Sequence, residues 1–202
     1  AGEQTLVTTT AGSSSGYLDG KGANAKFNNP AGMLLMADGT LVVAEYSNHR
    51  IRKVAPDGTV TTLAGSGQEG FKDGTGAQAW FNRPSGLATD GTGVVYVTDR
   101  YNHRIRAIDD KGVVTTLAGN SSNGSTDGTG AAARFNYPIG LAQYGGNLAV
   151  GDYSNHRVRV VNIATKAVTT LAGGSAGYAD GTGDKAKFNG VTGVAYGSEG
   201  NL

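Results

Sequence analysis

Three octapeptides in this chain are near-copies of one another: Glu45–Arg52 (EYSNHRIR), Asp99–Arg106 (DRYNHRIR) and Asp152–Arg159 (DYSNHRVR), 54 and 53 residues apart. All three histidines of the protein, His49, His103 and His156, occupy one equivalent position within them. Histidines serving one active site would converge from unlike contexts, whereas these are copies of a single local device. The spacing calls for a repeat architecture, and the first reading of each histidine is structural.

The same period governs the rest of the chain. Val-Thr-Thr-Leu-Ala-Gly recurs at Val60–Gly65, Val114–Gly119 and Val168–Gly173, with a looser copy at Val7–Gly12. Asp-Gly-x-Gly starts at Asp19, Asp73, Asp127 and Asp180. Phe-Asn-x-Pro starts at Phe27, Phe81 and Phe135, and Phe188-Asn189-Gly190-Val191 is a fourth copy without the proline. One domain over residues 1–202 is expected, with repeats at about 7–59, 60–113 and 114–167 and a partial one at 168–202. Glycine, 34 of 202 residues, is punctuation here, because it recurs at fixed repeat positions between apolar runs.

Within the middle unit, Ser85–Thr89, Val94–Thr98, Arg104–Ile108 and Val113–Ala118 are short β-favouring runs. Turn residues separate them at Asp90–Gly93, Asp99–His103 and Asp109–Gly112. Four antiparallel strands per repeat, apolar on both faces, predict an all-β β-propeller built of four-stranded blades. The roughly 20 residues between one outermost strand and the next innermost strand span the blade radially. Within them, Gly76–Phe81 is expected to form one helical turn, capped by Asp73 and pinned by Ala77, Trp80 and Phe81.

A further outer strand is expected near Thr5–Ala11 and an inner one near Thr192–Tyr196. The chain stops at Gly200-Asn201-Leu202, the counterpart of Gly39-Thr40-Leu41, where a strand begins. The reading is three complete blades plus parts of a shared or adjacent one, a fragment of a larger ring closed by more sequence or by self-association.

Charged residues are 16% of the chain, against about 25% in an ordinary domain, and the net charge is +1. No basic footprint argues for nucleic acid, and no apolar run is long enough to insert in a membrane. With no cysteine, disulfides and thiolate metal sites are excluded.

These motifs resemble the NHL repeat, named for an Asn-His-Leu signature that stands here as Asn48-His49-Arg50, Asn102-His103-Arg104 and Asn155-His156-Arg157. The resemblance covers essentially the whole chain. It implies a β-propeller, commonly of six blades, acting mostly as a binding platform for protein, RNA or other ligands. The long Asp-Gly-x-Gly to Phe-Asn-x-Pro loops look like those of secreted and cell-surface members. NHL-like propellers also include a zinc-dependent amidating lyase, and related propellers include calcium-dependent lactonases, with ligands near the central axis.

Glu45, Asp99 and Asp152, with the Asn-His-Arg triplets that follow them, are read as structural turns. In this reading the acid accepts backbone donors, the asparagine tolerates a left-handed conformation and the arginine pairs with the carboxylate across the hairpin. Asp99 is expected to bond backbone or Arg104. The aspartates of the Asp-Gly-x-Gly loops are read as turns bonded to their own backbone, since each loop offers one carboxylate where calcium needs several oxygens. No catalytic residue, metal or cofactor is assigned.

Tyr17, Phe71 and Tyr178, each two residues before such an aspartate, form a candidate binding face; Ser125 holds the position in the third copy. Asn120 and Asn123 begin N-glycosylation sequons. The resulting expectation is a non-catalytic extracellular or cell-surface scaffold that binds protein or glycan through its long-loop face. The alternative is a metal-dependent lyase or lactonase-type propeller whose site is completed by missing sequence.

Overall fold

A computed structural model describes residues 7–202. Its described residues form three five-stranded antiparallel sheets that repeat one topology. The first contains β1 (Gly20–Lys21), β2 (Pro30–Leu35), β3 (Leu41–Glu45), β4 (Arg50–Val54) and β5 (Thr59–Ala64). The second contains β6 (Gly74–Thr75), β7 (Pro84–Thr89), β8 (Val95–Asp99), β9 (Arg104–Ile108) and β10 (Val113–Gly119). The third contains β11 (Gly128–Thr129), β12 (Pro138–Tyr144), β13 (Asn147–Asp152), β14 (Arg157–Asn162) and β15 (Ala167–Gly173). In each sheet the first strand of the set lies outermost and the second innermost, as in β6-β10-β9-β8-β7.

The fifth strand is the departure from the four-stranded blade expected of the sequence. It comes from the Asp-Gly-x-Gly segment: Gly74 and Thr75 pair with Val114 and Val113 of the following sheet. The long loop therefore covers the outer edge of the next blade before entering its innermost strand, protecting an otherwise open strand edge. Its helical turn is a 3-10 turn at Gly76–Gln78 with no side-chain cap, so Asp73 does not cap it. Ala79 and Phe81 are buried and hold it down, while Ala77 is exposed.

The cores lie between consecutive sheets. Val42, Ala44, Ile51 and Ala64 of the first sheet meet Leu87, Val95, Val97, Ile108 and Val114 of the second, with Phe81 plugging the gap. Phe135 does the same between the second and third sheets, among Tyr96, Ile105, Leu148, Val150 and Val161. Strands covered on both faces require the near-continuous β-branched runs seen in the sequence.

The innermost strands β2, β7 and β12 pack beside one another, which places the propeller axis alongside them. One glycine in each makes the approach possible. A Cβ at Gly32 would collide with the Ser85 carbonyl, and one at Gly86 with the Ile139 carbonyl. Thr98 crosses the same seam, accepting from the Gly86 amide at 2.6 Å and donating to the Ile139 carbonyl at 2.9 Å.

At the ends the outcome differs from the expected strands. Thr5 and Leu6 lie outside the described residues, and Val7–Ala11 form no strand. Thr192–Tyr196 form none either, although Thr192 lies against Gly140 as Ile139 lies against Gly86. A strand needs a ladder partner, and the described chain supplies none beyond that segment. The turn that follows an inner strand is nevertheless present, closed by the Gly197 amide on the Asn201 carbonyl at 2.7 Å.

Replacing Gly86 by alanine is expected to push β7 off β12 and to lower stability by about 1–3 kcal/mol, the cost of overpacking. Denaturant unfolding would measure it, and an unchanged midpoint would refute the close-approach account.

Candidate functional site

Strand polarity puts two kinds of connection at one end of the propeller. The long loops arrive there, and so do the short turns that join β3 to β4, β8 to β9 and β13 to β14, the last two being the 3-10 turns Arg100–Asn102 and Tyr153–Asn155. Asn102 links the two directly, its amide donating to the Gly70 carbonyl at 2.8 Å. Tyr17, Phe71, Asn120, Asn123 and Tyr178 all lie on these loops. The short turns around Asp38, Asp90 and Gly145 lie at the opposite end.

At the base of this face sits a repeated ionic clamp. In the second blade Arg106 is fully buried and donates to Asp99 at 2.6 Å and to Asp73 at 2.5 Å. It also donates to the carbonyls of Trp80 (3.2 Å) and Lys72 (3.0 Å), while its Nε finds no partner. Asp99 accepts in addition from the Asn82 amide at 2.8 Å and from the Asn102 side chain at 2.8 Å.

The first blade repeats this with Arg52 between Glu45 (2.7 Å) and Asp19 (2.5 Å), and the third with Arg159 between Asp152 (2.8 Å) and Asp127 (2.6 Å). Burial raises the Asp99 carboxyl above its ordinary value, with Arg106 opposing; burial raises Asp152 in the same way.

Two details of the turn differ from the sequence reading. The acid does bond backbone, but its ion partner is Arg106 rather than Arg104, and likewise Arg52 and Arg159 rather than Arg50 and Arg157. Arg104 instead donates to the Asn102 carbonyl at 3.0 Å and stacks on Phe71 at 3.7 Å. Asp19, Asp73 and Asp127 of the Asp-Gly-x-Gly loops reach across to this arginine and to a threonine of the outer strand, as Asp127 does to Thr170, rather than bonding their own loop.

The residue in the left-handed conformation is the histidine, not the asparagine: φ is 52° at His49, 55° at His103 and 54° at His156. Each imidazole accepts, through Nδ1, an amide of the next repeat: Arg83 (3.2 Å), Tyr137 (3.2 Å) and Gly190 (3.1 Å) respectively. The histidines are latches between successive repeats. Burial lowers the basicity of His49 and His103, aided at His49 by Arg83 and Arg50 against Glu69.

These latches explain Phe-Asn-x-Pro residue by residue. The phenylalanine plugs the core, and the asparagine amide binds the clamp acid. The third residue takes positive φ under the histidine (Arg83, 54°; Tyr137, 53°), and the proline opens an edge strand where no amide is needed.

Of the candidate binding residues, Tyr17 stacks on Arg50 at 3.7 Å and bonds Thr62 at 3.1 Å, remaining 44% exposed. Phe71 on Arg104 is 42% exposed, while Tyr178 is 88% exposed. Where Ser125 replaces the aromatic, Arg157 donates to its carbonyl at 3.2 Å. Asn120 is folded into its own loop, its amide donating to Ala131 at 2.6 Å, whereas Asn123 is exposed. Among the described residues, no three His, Asp or Glu side chains are grouped to share a metal ion.

The axial part of the face was missed by pattern reading, because its residues vary between repeats, Arg100 standing where the other two copies carry Tyr46 and Tyr153. Arg83, Arg100, Tyr46, Tyr101, Tyr137 and Tyr153 lie there, with Arg83 4.4 Å from the Tyr101 ring centre and Tyr101 edge-on to Tyr137 at 4.8 Å. Tyr46 and Arg83 beside Tyr101 hold its phenol below the ordinary value.

Substituting Arg106 by methionine strands Asp99 in the interior and is expected to cost about 3–5 kcal/mol. Arg104→Ala, which removes a cation–π contact, should cost about 1 kcal/mol. Denaturant unfolding of the two variants separates the assignments, and equal losses would return the pairing to Arg104.

The histidine latch also predicts an acid-labile fold. An imidazolium carries protons on both nitrogens and cannot accept the latch bond. The folded-state pKa of His49 and His103 lies below the unfolded value of about 6.5, so the unfolded chain binds more protons in that window. Stability is complete above that value and falls as pH drops below it. Thermal unfolding from pH 7.5 to 5 should show the fall, and the double variant His49→Asn, His103→Asn should show a flatter profile.

Comparison with known proteins agrees with this geometry. The NHL repeat matches residues 27–54, 81–108 and 135–161. Human NHL repeat-containing protein 2 is 34% identical over 163 residues, covering 73% of this chain and 22% of that protein. The chain thus spans about a fifth of the curated relative. Among solved structures, an auxiliary nutrient binding protein from Bacteroides thetaiotaomicron superposes with a TM-score of 0.69 at 19% identity, covering 87% of this chain and 44% of that one. Another from Bacteroides ovatus gives 0.65 at 25% identity, covering 85% and 44%. Three repeated clamps, three histidine latches and three matched repeats together assign this chain to the NHL-repeat β-propeller family.

Proposed function

We propose that the protein is a non-catalytic extracellular or cell-surface scaffold that binds a protein or glycan partner through its long-loop face. One observation carries the reading: the repeated acids, arginines and histidines are spent inside their own repeats or between neighbours, whereas the loop face keeps the aromatic rings of Tyr17, Phe71, Tyr153 and Tyr178 open to solvent. Loops held by a rigid scaffold are where binding residues gather. Two solved propellers of similar fold carry names that describe binding. A metal-dependent lyase or lactonase would place its ligands near the axis, where this chain presents Arg83, Tyr101 and Tyr137.

Hydrogen exchange on a bound complex is expected to protect the loops at residues 66–72, 120–127 and 174–180. The intact mass of protein secreted from a glycosylating cell should show a glycan on Asn123, the exposed sequon. Protection confined to the turns around Asp38, Asp90 and Gly145, or metal-dependent turnover of lactone substrates, would overturn the reading.

A further inference from the structure

The axial cluster carries more charge than its surroundings neutralise. Arg83 and Arg100 take part in no ion pair among the described residues, whose buried pairs use Arg52, Arg106 and Arg159. Arg100 Nε is buried without a hydrogen-bond partner among the described residues, as are the Nε atoms of Arg52, Arg106, Arg157 and Arg159. Of the carboxylates at this end, Glu69 acts on His49 at the cluster's margin, Asp99 is sealed beneath by Arg106, and Asp19, Asp73 and Asp127 are paired with the buried arginines.

The two arginines share their aromatic neighbours. Arg83 stands 4.4 Å from the Tyr101 ring centre and 5.5 Å from that of Tyr46; Arg100 stands 5.6 Å and 5.8 Å from the same rings and 5.7 Å from Tyr153. The backbone of Arg83 is fixed by the His49 latch, and Tyr137 is fixed by the His103 latch. The cluster is thus built rigidly into two repeat junctions, which lowers the ordering cost of binding.

We propose that this cluster docks an acidic segment of a partner protein, its carboxylates taken by Arg83 and Arg100 and its apolar parts by Tyr101 and Tyr137. Planar guanidiniums match carboxylates in bidentate geometry, and tyrosine with arginine is the composition of protein-interface hot spots. A sugar ring would need an open aromatic face, but Tyr101 is already covered by Arg83 and abutted by Tyr137 and Tyr46. Nucleic-acid affinity grows with the number of phosphates neutralised, and two cations on a chain of net charge +1 neutralise few.

The proposal rests on the binding role of the long-loop face and narrows its partner. It is tested on the protein with a fluorescent decapeptide of alternating glutamate and glycine, its glutamine counterpart, a poly-uronate oligosaccharide and an oligothymidylate. The glutamate peptide should bind, and glutamine replacement should weaken it at least about 10-fold, as should the pair Arg83→Gln, Arg100→Gln, from loss of charge-assisted contacts. Each single variant should weaken it about 5-fold with an unchanged unfolding midpoint. Lys111→Gln, on the opposite end, should leave binding unaltered.

Equal binding of the glutamine peptide, indifference to both arginine variants, tighter binding of either polyanion, or no binding at about 1 mM peptide would overturn it. A partner footprint on the long loops that spares Arg83 and Arg100 would sink this inference alone. A footprint on the opposite end would remove the binding-face reading as well.

Discussion

The buried guanidinium is the constraint on which each blade depends. Arg106 joins three pieces that the chain separates: the strand β9 that carries it, the turn acid Asp99, and the incoming loop through Asp73 and two carbonyls. Burying that charge in isolation would cost many kcal/mol. Two carboxylates and two carbonyls offset it, leaving one unpaired N–H per arginine. Such an assembly adds little stability over a well-packed apolar substitute but tolerates only one geometry. It fixes where the long loop meets the blade, and so fixes the fifth strand along the blade's outer edge.

Between repeats a different chemistry takes over. The seam at the axis is made of backbone and small side chains: Gly86 against Ile139, Thr98 on the same carbonyl, and His103 on the Tyr137 amide. Because the glycine approach and the histidine latch recur at each junction, with Thr98 an addition at one of them, neighbouring repeats are held in one relation, as expected of a nearest-neighbour repeat array. The junction fixes the backbone of the third residue of Phe-Asn-x-Pro without fixing its side chain. Asparagine, arginine and tyrosine occupy it at positions 29, 83 and 137. That freedom lets a repetitive fold present a non-repetitive surface.

The strands and their order were legible in the sequence because doubly covered strands demand runs such as Val94–Thr98 and because turn residues recur with the period. The clamp was only half legible. Asp99 lies directly across the ladder from Arg104, so hairpin geometry alone suggests that pair. Arg104 turns onto Phe71, and the next side chain on the same face, Arg106, takes the charge, sharing Oδ2 of Asp99 with the Asn102 side chain. The role of Asp73 was illegible for another reason. A local motif resembling a turn is satisfied by a residue 33 positions away, and no local rule reports that. The left-handed histidine likewise depends on an acceptor role for Nδ1 that only the neighbouring repeat reveals.

The candidate face divides along the same line between what repeats and what does not. Arg50 and Arg104 are covered by Tyr17 and Phe71, and Arg157 by the carbonyl of Ser125, so the loop aromatics serve first as lids on a repeated arginine. Their outer edges remain available, but their positions are dictated by the blade. Tyr178 has no such arginine among the described residues, and its side chain stands open. At the axis no repeated demand explains Arg83 and Arg100, whose counterparts in other repeats carry different side chains. Positions released from the fold's periodic requirements, yet held rigid by its latches, are where a repeat scaffold can store specificity for one partner.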